Sequence, residues 1–454
     1  MNKLIKFLTA IKEAEEEIRI TVIGDAMVDE FFSVKTTKIS PEFPVPVLTH
    51  PDGIPYLRLP GGAGNVARQF ENFPFKVELV AFLDKDAKQV YKQCKINTDA
   101  CLEIDNKIPR KQRFYQGDFP VARIDIEQKD YGYADIHNKV NQLIENCQSI
   151  RSKIVIFSDY NKGVIRDIWY MKDKITIVDP KKGPLHKWSG CKVIKPNAAE
   201  AKELTGRSDW RTQCSIISEA TNCDAVIITD SGEGVSGWAK NEGYFHYIPP
   251  QTVKAVSVIG AGDCYISFLA MAISLGFSYA DSAEIAFDAA AGYVQNKYNK
   301  PLTIEELIRQ VDPYTAKFTL PSKNRDYKLV MTNGVFDMGL TASHVGYLRE
   351  AKKYGDKLIV ALNSDESVKR LKGDARPIMP LAERMAIVAS LECVDFVTSF
   401  EEDTPLNLIK KIMPSCVVKG GDYKPEDIAG YGIVDVFVTE KLKGLSTTDK
   451  IDLL

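Results

Sequence analysis

The chain has 454 residues, of which 44% are hydrophobic and 26% charged, and 59 basic against 61 acidic residues leave a formal net charge of −2. At about 150 residues per domain, this length predicts two or three domains and excludes a peptide-sized or fibrous protein. The near-balance of charge argues against nucleic acid as a partner. The nine cysteines are scattered without the paired spacing of metal ligands, so we expect reduced thiols in a cytoplasmic protein.

The N-terminal segment does not have the features of a secretory signal. Its best apolar stretch, Leu4–Ile11, is interrupted by Lys6 and followed by several glutamates. The longest apolar region elsewhere, Ile266–Phe277, is shorter than the about 20 residues that a membrane-spanning helix needs. We therefore expect a soluble protein with no membrane partner.

From residue 18 onward, short β-branched runs alternate with stretches of helical periodicity, which predicts βαβ units and a mostly parallel sheet. The predicted strands are Ile18–Ile23, Val77–Phe82, Lys153–Ser158, Ile175–Val178, Val193–Lys195 and Ala225–Thr229. Arg110–Glu127 differs, because extended segments flank a turn at Gly117, and this predicts a small antiparallel lid. After Gly260, apolar spacing predicts helices through Phe268–Leu275 and Ala283–Val294.

A second α/β pattern begins after Val311–Tyr327, a polar stretch with two prolines and no periodicity that predicts a linker. The predicted strands of this half are Lys328–Thr332, Lys357–Leu362, Phe396–Thr398, Cys416–Val418 and Val434–Val438, with helices from His344 and over Leu381–Leu391 and Leu406–Ile412. We therefore expect a first domain at residues 1–315, a linker at 316–327 and a second domain at 328–454.

The first candidate site is Gly260-Ala261-Gly262-Asp263, between an extended segment and a predicted helix. Small residues let backbone amides approach an anion, and the helix N-terminus adds partial positive charge, which suits a transferring phosphoryl group. We expect the helix dipole to hold Asp263 ionised, so that it can accept a proton from a substrate hydroxyl. A glycine turn followed by Asp also occurs for purely structural reasons.

Three motifs in order, Gly61–Asn65, Asn197–Glu200 and Gly260–Asp263, resemble those of the ribokinase (PfkB-type) sugar-kinase family over residues 18–310. The resemblance implies a ribokinase-like α/β domain with a small β lid, ATP as substrate and Mg²⁺ near Asn197 and Glu200. It implies that Gly260, Ala261 and Gly262 form the anion hole and that Asp263 is the catalytic base. Ser257 and Ile259 stand where the family usually has Asp and Thr, so a monovalent cation stays an open alternative.

Within that family, Lys38–Val47, Ser158–Gly163 and Asp179–Lys181 resemble the heptose 7-phosphate kinases. The resemblance implies substrate contacts by Asp25, Asp29, Gly62, Asn65, Arg113, Arg123, Asp159 and Lys162, and nucleotide contacts by Asn197, Glu200, Asp230 and Gly232. The basic residues that flank the lid are Arg110, Lys111, Arg113 and Arg123. Arginine grips phosphate with two parallel hydrogen bonds, so these cations suit a sugar that already carries a phosphate; the alternative is a solvated, charged lid.

The second candidate site combines Thr332–Asp337 at the end of a predicted strand, Thr341–His344 at a helix start, and Ser446–Thr448 near the C-terminus. Adenylyl transfer needs an imidazole and helix-end amides to hold nucleotide phosphates while a substrate phosphate attacks in line. A lone histidine at a helix start is also compatible with a structural role.

Residues 328–454 resemble the nucleotidylyltransferase family with the (H/T)-x-G-H signature, specifically the adenylyltransferase half of bifunctional heptose-phosphate enzymes. Matching stretches are Asn363–Asp365, Lys369–Asp374, Arg376-Pro377, Ser399–Pro405 and Lys419–Pro425. The resemblance implies a Rossmann-like domain in which His344 is catalytic and nucleotide is bound by Thr332, Asn333, Gly334, Phe336, Thr341, His344, Lys372, Ser446, Thr447 and Thr448. Thr341 and Ser343 replace the His and Gly usual in this subgroup.

Together the resemblances imply a bifunctional enzyme. Its kinase would phosphorylate the anomeric hydroxyl of D-glycero-D-manno-heptose 7-phosphate, and its second domain would join heptose 1-phosphate to AMP, giving ADP-heptose for surface polysaccharide. A separate phosphatase must then remove the 7-phosphate, and the expected assembly is a homodimer. Two alternatives stay open: a non-catalytic C-terminal binding or dimerisation domain, or a kinase and nucleotidylyltransferase for a different sugar.

Overall fold

A computed structural model of the protein describes residues 3–14, 17–50, 53–127, 152–165, 174–249, 253–311, 315–318, 320–321, 323, 325, 327–337, 340–421 and 423–439. The chain divides into two compact units, residues 1–307 and 308–454. Every helix among the described residues is too short or too polar to span a membrane.

The first unit alternates strands and helices, as the sequence pattern predicts. Its strands are β1 (Ile18–Gly24), β2 (Ala26–Ser33), β3 (Lys35–Ile39), β4 (Pro46–Thr49), β5 (Leu57–Gly62), β6 (Phe75–Val80), β7 (Phe82–Leu83), β8 (Leu102–Glu103), β9 (Arg110–Gln116), β10 (Phe119–Ile126), β11 (Ile154–Ser158), β12 (Ile175–Asp179), β13 (Val193–Ile194), β14 (Ala225–Thr229), β15 (Val235–Ala239) and β16 (Gly243–Tyr247). Its helices are α1 (Lys3–Glu13), α2 (Ala63–Arg68), α3 (Lys85–Gln93), α4 (Ala198–Thr205), α5 (Trp210–Thr221), α6 (Ala261–Ser274) and α7 (Tyr279–Tyr293), and α8 (Ile304–Val311) runs across the boundary.

The central sheet of this unit has the order β16-β15-β14-β13-β12-β11-β1-β6 within the described residues. Six neighbouring strands pair in parallel: β6, β1, β11, β12, β13 and β14. Strands β15 and β16 add an antiparallel edge beyond β14. All six predicted strands are present, and their buried β-branched runs are typical of a sheet covered on both faces. Because parallel strands end at one edge, polar residues that end or follow them gather there. These residues are Asp25, Asp159, Asp179, Lys195 and Asp230.

The predicted antiparallel lid is confirmed, because β9 and β10 pair around Gly117. The lid is larger than the sequence predicts: its strand order is β10-β9-β2-β5, with β2 parallel to β9 and antiparallel to β5. Strand β2 enters the lid directly, since Asp25 alone separates it from β1. The predicted long helices correspond to α6 and α7, which pack against each other.

The second unit contains β17 (Leu329–Gly334), β18 (Lys357–Asn363), β19 (Phe396–Phe400), β20 (Cys416–Gly420) and β21 (Asp435–Thr439), with α9 (Ala342–Lys352), α10 (Asp365–Lys372), α11 (Leu381–Ala389) and α12 (Leu406–Ile412). The strands form a parallel sheet of order β19-β18-β17-β20-β21. Apolar clusters cover both faces: Val330 and Val360 belong to one, Leu329 and Met331 to the other. The strand order reverses direction between β17 and β20, and doubly wound sheets bind ligands at the carboxyl side of such a point.

Two candidate active sites

The Asp263 carboxylate lies on the first turn of α6 and is 5% exposed. The side-chain amide of Asn65 donates to Oδ2 at 2.7 Å, and the Tyr160 hydroxyl donates to Oδ1 at 2.7 Å. These donors come from α2 and from the loop after β11, so three separate segments fix one carboxylate. Such fixation is what a general base requires.

Burial raises the pKa of Asp263, and the hydrogen bonds from Asn65 and Tyr160 work in the opposite direction by favouring the ionised form. Burial thus acts against the ionisation that the sequence analysis expects from the helix dipole, and that expectation stays a prediction. A buried carboxylate with an elevated pKa is a better proton acceptor than an exposed one, because its conjugate acid is more stable.

Two glycines of the motifs are required by geometry. Gly260 has φ of 75°, and a Cβ there would lie 2.4 Å from the Asn65 amide nitrogen. Gly62 has φ of 57°, and a Cβ there would lie 2.3 Å from the Asp25 carbonyl oxygen. Gly61 and Gly62 form the end of β5, where they pair with β2 directly before α2.

A cavity of about 200 Å³ adjoins Asp263. Its lining includes Gly260, Ala261 and Gly262 with Asp179, Lys195, Asn197 and Glu200. The structure thus brings the two predicted phosphate-binding motifs together around one space. The Asn197 side-chain oxygen accepts from the backbone amide of Glu200 at 2.9 Å. The Glu200 carboxylate accepts from the backbone amide of Asn197 at 2.9 Å, and the two bonds form a capping box.

The donor set at this cavity fits a magnesium ion bound with its substrate. Among the described residues no cluster of three or more His, Cys, Asp or Glu side chains is spaced to hold a metal alone. Magnesium at phosphoryl-transfer sites, however, needs only one or two carboxylates besides phosphates and water. Glu200 is 8% exposed and lines the cavity, and its Oε1 accepts from Lys181 at 2.7 Å. The Asn197 oxygen is already used in the helix cap.

Lys195 is a cation that the sequence analysis did not select. Its ammonium lies 2.8 Å from Asp179 and would be 3.7 Å from a Cβ placed on Gly262, so it borders the anion hole. Burial alone would lower the pKa of Lys195, but the charges of Asp179 and Glu200 raise it. Its signal in the sequence is its position, since it follows β13 at the carboxyl edge of the sheet.

Three lid cations share one face of the lid. Lys111 and Arg113 are two residues apart on β9, and Arg123 of β10 is paired with Arg113. Guanidinium groups directly across from each other repel unless anions lie between them. Asp29 accepts from Arg113 at 2.9 Å, and Asp125 accepts from Arg123 at 2.7 Å.

This face is close to the Asp263 carboxylate. The Lys111 ammonium lies 5.0 Å from the ring centroid of Tyr160, the residue that donates to Asp263. Burial lowers the pKa of Lys111, whereas the charges of Asp29 and Asp263 act to raise it. Arg110 does not belong to this face, because it is buried against Asp84 at 2.8 Å, which corrects its grouping with the other lid cations.

The remaining predicted substrate contacts have partners within the protein. Asp25 accepts from the backbone amides of Tyr160, Lys162 and Val164, and Asp159 pairs with the buried Lys187 at 2.6 Å. Both carboxylates therefore organise the loop that carries Tyr160, and their contacts with a sugar stay predictions. The ammonium of Lys162 pairs with Glu127, which follows β10.

Asp230 and Gly232 lie in an exposed segment after β14, outside the lining of the cavity. The backbone of Thr229, the last residue of β14, forms an isolated parallel bridge with Asn197. The two predicted nucleotide-binding segments are thus neighbours, and nucleotide contact by Asp230 and Gly232 stays a prediction.

The second site is a cavity of about 650 Å³ at the carboxyl edge of the smaller sheet. Its lining includes five predicted nucleotide-binding residues: Asn333, Gly334, Phe336, His344 and Lys372. Thr332 is fully buried, and Thr341 is the N-cap of α9; neither lines the cavity. Ser446, Thr447 and Thr448 lie outside the described residues.

The His344 ring is fixed from two sides. Its Nδ1 accepts from the backbone amide of Thr341 at 3.2 Å, and the Phe336 ring packs against it with centroids 5.3 Å apart. In the neutral ring this hydrogen bond assigns the proton to Nε2, which can donate to a phosphate oxygen. Phe336 has φ of 51°, a conformation that is rare outside glycine and that is often found at functional sites.

Lys419, Asp337 and Ser343 also line this cavity, although the sequence analysis assigns none of them a nucleotide contact. The Lys419 ammonium donates to the Asn333 carbonyl at 2.9 Å, and burial lowers its pKa to about 8. Asp337 pairs with Arg376 and accepts from the backbone amide of Met379 at 3.4 Å, and these bonds lower its pKa although burial opposes them. Ser343, which replaces the usual Gly, also lines the cavity.

Comparisons with known proteins agree with this two-part architecture. A family model described as pfkB family carbohydrate kinase matches residues 166–303, and one described as cytidylyltransferase-like matches residues 331–451. Ribokinase from Thermotoga maritima superposes with a TM-score of 0.52 at 19% identity over 65% of this chain and 99% of that chain. Phosphofructokinase-2 from Escherichia coli, in complex with potassium, gives 0.51 at 16% identity over 65% and 98%.

These structural likenesses show the fold alone, and with the family models they confirm a ribokinase-like domain followed by a Rossmann-like nucleotidyltransferase domain. Curated relatives named bifunctional protein HldE, from Cronobacter sakazakii and Proteus mirabilis, are each 34% identical over 96% of this chain and 97% of their own length. With this identity over nearly its whole length, and with kinase and nucleotidyltransferase domains in succession, the chain belongs to the family of bifunctional HldE proteins.

Proposed function

We propose that this bifunctional enzyme phosphorylates D-glycero-D-manno-heptose 7-phosphate at its anomeric hydroxyl and then transfers AMP to heptose 1-phosphate, giving ADP-heptose. The observation that carries the kinase half is the cationic face of the lid, Lys111, Arg113 and Arg123, beside the buried base Asp263. A substrate that bears both a phosphate and a reacting hydroxyl matches this combination of cations and a base.

In the kinase step, the anomeric oxygen forms a bond to the γ-phosphorus of ATP while the bond from that phosphorus to the β-γ bridging oxygen breaks. Asp263 accepts the hydroxyl proton, and ADP leaves. The amides of Gly260, Ala261 and Gly262 stabilise the charge on the transferring phosphoryl group. Lys195, at the border of the anion hole, adds a fixed positive charge.

Magnesium and ATP are the proposed cofactor and cosubstrate. Glu200 is the side chain that would hold the ion, and Asn197 positions the Glu200 side chain through the capping box. When bound, the ion supplies positive charge that shields the phosphates. Because Ser257 and Ile259 stand where the family usually has Asp and Thr, dependence on a monovalent cation stays a prediction. Replacing potassium in the assay tests it.

In the adenylyl step, a phosphate oxygen of heptose 1-phosphate attacks the α-phosphorus of ATP, and pyrophosphate leaves. His344, Lys372 and Lys419 line the cavity where the phosphates would lie, and the Nε2–H group of His344 is proposed as a donor to them. No protein nucleophile is needed, because positioning and charge stabilisation supply the catalysis. Ser446, Thr447 and Thr448 are proposed as further phosphate contacts from the C-terminal segment.

The proposal is tested by supplying the purified protein with ATP, magnesium and a panel of sugar phosphates, and by measuring ADP and pyrophosphate separately. Parallel assays replace ATP by CTP, since one domain matches a cytidylyltransferase-like model. Product formation with heptose 7-phosphate, and pyrophosphate from ATP with heptose 1-phosphate, support both halves. ADP release without pyrophosphate supports a non-catalytic C-terminal domain, and preference for another sugar or for CTP supports the other alternative.

Replacing His344 by Ala should lower the rate of pyrophosphate formation about tenfold or more, equivalent to ~1.4 kcal/mol of transition-state stabilisation. The reason is the loss of the Nε2–H donor at the cavity. Restoring glycine at Ser343 should raise this rate or leave it unchanged. Kinase activity of the His344→Ala protein serves as an internal control. His246→Ala, on the edge strand β16, is a matched control. A His344→Ala protein with undiminished pyrophosphate release would refute the role of His344.

We propose that the domains are residues 1–315 and 328–454, joined by a linker at 316–327. The division into compact units at residue 307 supports this proposal. A fragment of residues 1–315 is expected to phosphorylate the sugar at a rate within about threefold of the intact protein, because each domain has its own core. Activity and circular dichroism of the purified fragment provide the test. A folded but inactive fragment would contradict the independence of the domains.

Two kinds of partner complete the proposal. The 7-phosphate must be hydrolysed between the two reactions, and a separate phosphatase is the proposed source of that activity. A second copy of the chain is the other partner, because the outer lid strand β10 exposes Phe119 (75%) and Ile124 (50%). Exposed apolar residues on an edge strand favour association. Light scattering of the purified protein tests the homodimer.

A further inference from the structure

A strained segment, Tyr298–Asn299, lies between α7 and α8. The φ angles of these residues are 56° and 52°, in the left-handed region that favours glycine. Such a conformation persists only where the surrounding contacts hold it. The Tyr298 ring packs edge-to-face against Phe31 at 5.5 Å, and the Arg68 guanidinium donates to the Asn299 carbonyl at 3.2 Å.

This backbone conformation places the Asn299 side chain beside Asp29. The Asn299 side chain is buried, with 2% exposure for the residue, and its Nδ2 donates to Asp29 Oδ2 through a long contact of 3.4 Å. Its Oδ1 is buried and has no hydrogen-bond partner among the described residues. An unpaired buried carbonyl is costly, so a native structure that keeps one calls for a ligand or a specific reason.

A second unpaired atom lies at the same carboxylate. Arg113 donates to Asp29 Oδ1 at 2.9 Å through its terminal nitrogen, while its buried Nε has no partner among the described residues. Two residues that contact Asp29 thus each have an unpaired buried atom: Asn299 Oδ1, which lacks a donor, and Arg113 Nε, which lacks an acceptor among the described residues. A simple anion would satisfy only the arginine, whereas a hydroxyl can both donate and accept, so a polyhydroxylated ligand satisfies both.

This cluster belongs to the kinase site. A Cβ placed on Gly61 would lie 2.8 Å from Asp29 Oδ2, so the cluster adjoins the glycine pair. The charge of Asp29 is also near enough to act on the pKa of Asp263. The ligand expected at Asn299 is therefore the sugar whose hydroxyl faces the base.

We propose that Asn299 is a specificity-determining residue of the kinase, and that its Oδ1 accepts a hydrogen bond from a non-reacting hydroxyl of the sugar phosphate. The inference rests on the proposed function and adds to it a residue that distinguishes one sugar from another. It also accounts for the strained conformation, since that conformation directs the amide towards Asp29.

The test is Asn299→Gly, which removes the amide while keeping a residue that favours the left-handed conformation. The KM for the sugar phosphate should rise about tenfold or more, as expected for loss of a buried hydrogen bond, while the KM for ATP stays within about twofold. Asn222→Gly is the matched control, because Asn222 is also left-handed (φ 51°) but exposed at the end of α5. An unchanged KM for the sugar in Asn299→Gly would overturn the proposal.

Deoxy analogues of the sugar phosphate separate recognition from a structural role. In the wild-type enzyme, the analogue that lacks the recognised hydroxyl should lose about tenfold or more in kcat/KM, and in Asn299→Gly this loss should largely disappear. Equal losses in both enzymes for every analogue would assign Asn299 a structural role and overturn the proposal.

The wild-type measurements distinguish this failure from failure of the proposed function. If the wild-type protein phosphorylates a different sugar phosphate, the heptose assignment fails, and the same comparison is made on that sugar. If it phosphorylates the heptose and Asn299→Gly behaves as wild type, only the inference about Asn299 fails.

Discussion

Asp263→Asn is expected to lower the rate of sugar phosphorylation about 100- to 10,000-fold, the usual cost of removing a general base. The amide cannot take up the hydroxyl proton, but it keeps the shape of the side chain. One hydrogen bond from Asn65 can be retained, and the Tyr160 hydroxyl can turn to accept from the new amide. The melting temperature should therefore change little.

Steady-state release of ADP at saturating ATP measures this effect. Adenylyl transfer by the same variant is an internal control, because it occurs in the other unit. Asp209→Asn is a matched control at an exposed helix N-cap, where Asn serves as well as Asp. Since burial raises the pKa of Asp263, wild-type kcat/KM should fall on the acid side at a higher pH than for an ordinary carboxylate. A variant that keeps more than about a tenth of the activity would exclude Asp263 as the base.

Arg384→Ala is expected to destabilise the second unit by about 2–4 kcal/mol, because buried backbone carbonyls lose a charged hydrogen-bond donor. The Arg384 side chain is fully buried and donates to the carbonyls of Val335 (2.8 Å) and Asn363 (3.0 Å) and to the carboxylate of Asp365 (2.6 Å). It thereby links the end of β18 to the residue that follows β17. Its loss leaves these oxygens without their donor.

Urea unfolding followed by residual adenylyltransferase activity measures this loss, with kinase activity as the marker of the first unit. Arg349→Ala, on an exposed position of α9, is the matched control and should change stability by less than about 0.5 kcal/mol. An Arg384→Ala protein whose activity is lost at the same urea concentration as wild type would contradict the structural role of Arg384.

The sequence predicts the elements of both sheets well, because each buried parallel strand is a short β-branched run with its own boundary signals. It also places Asp263 correctly on the first turn of a helix. It does not predict the partners of that carboxylate: Asn65 is 198 residues away in sequence, and Tyr160 is 103 residues away. Burial and the resulting pKa shift depend on such distant contacts, so a local pattern cannot supply them.

The same limit applies to the second unit. The signature around His344 indicates a helix start, but α9 begins at Ala342, because Thr341 is the residue that caps it. Helix α10 was not predicted, since the sequence from Asp365 to Lys372 is mostly charged and gives little apolar periodicity. The sequence does not predict the burial of Lys419 beside Asn333, because it results from pairing of β20 with β17.

The single residue between β1 and β2 restricts how this connection can vary in length. Because side chains alternate along a strand, inserting or deleting one residue at Asp25 would turn Asp29 and Phe31 to the opposite face of the lid, away from Arg113 and Tyr298. Surface loops usually tolerate changes of length. We expect this connection to tolerate substitutions better than changes of length, which are easier to accommodate at the other connections of the lid.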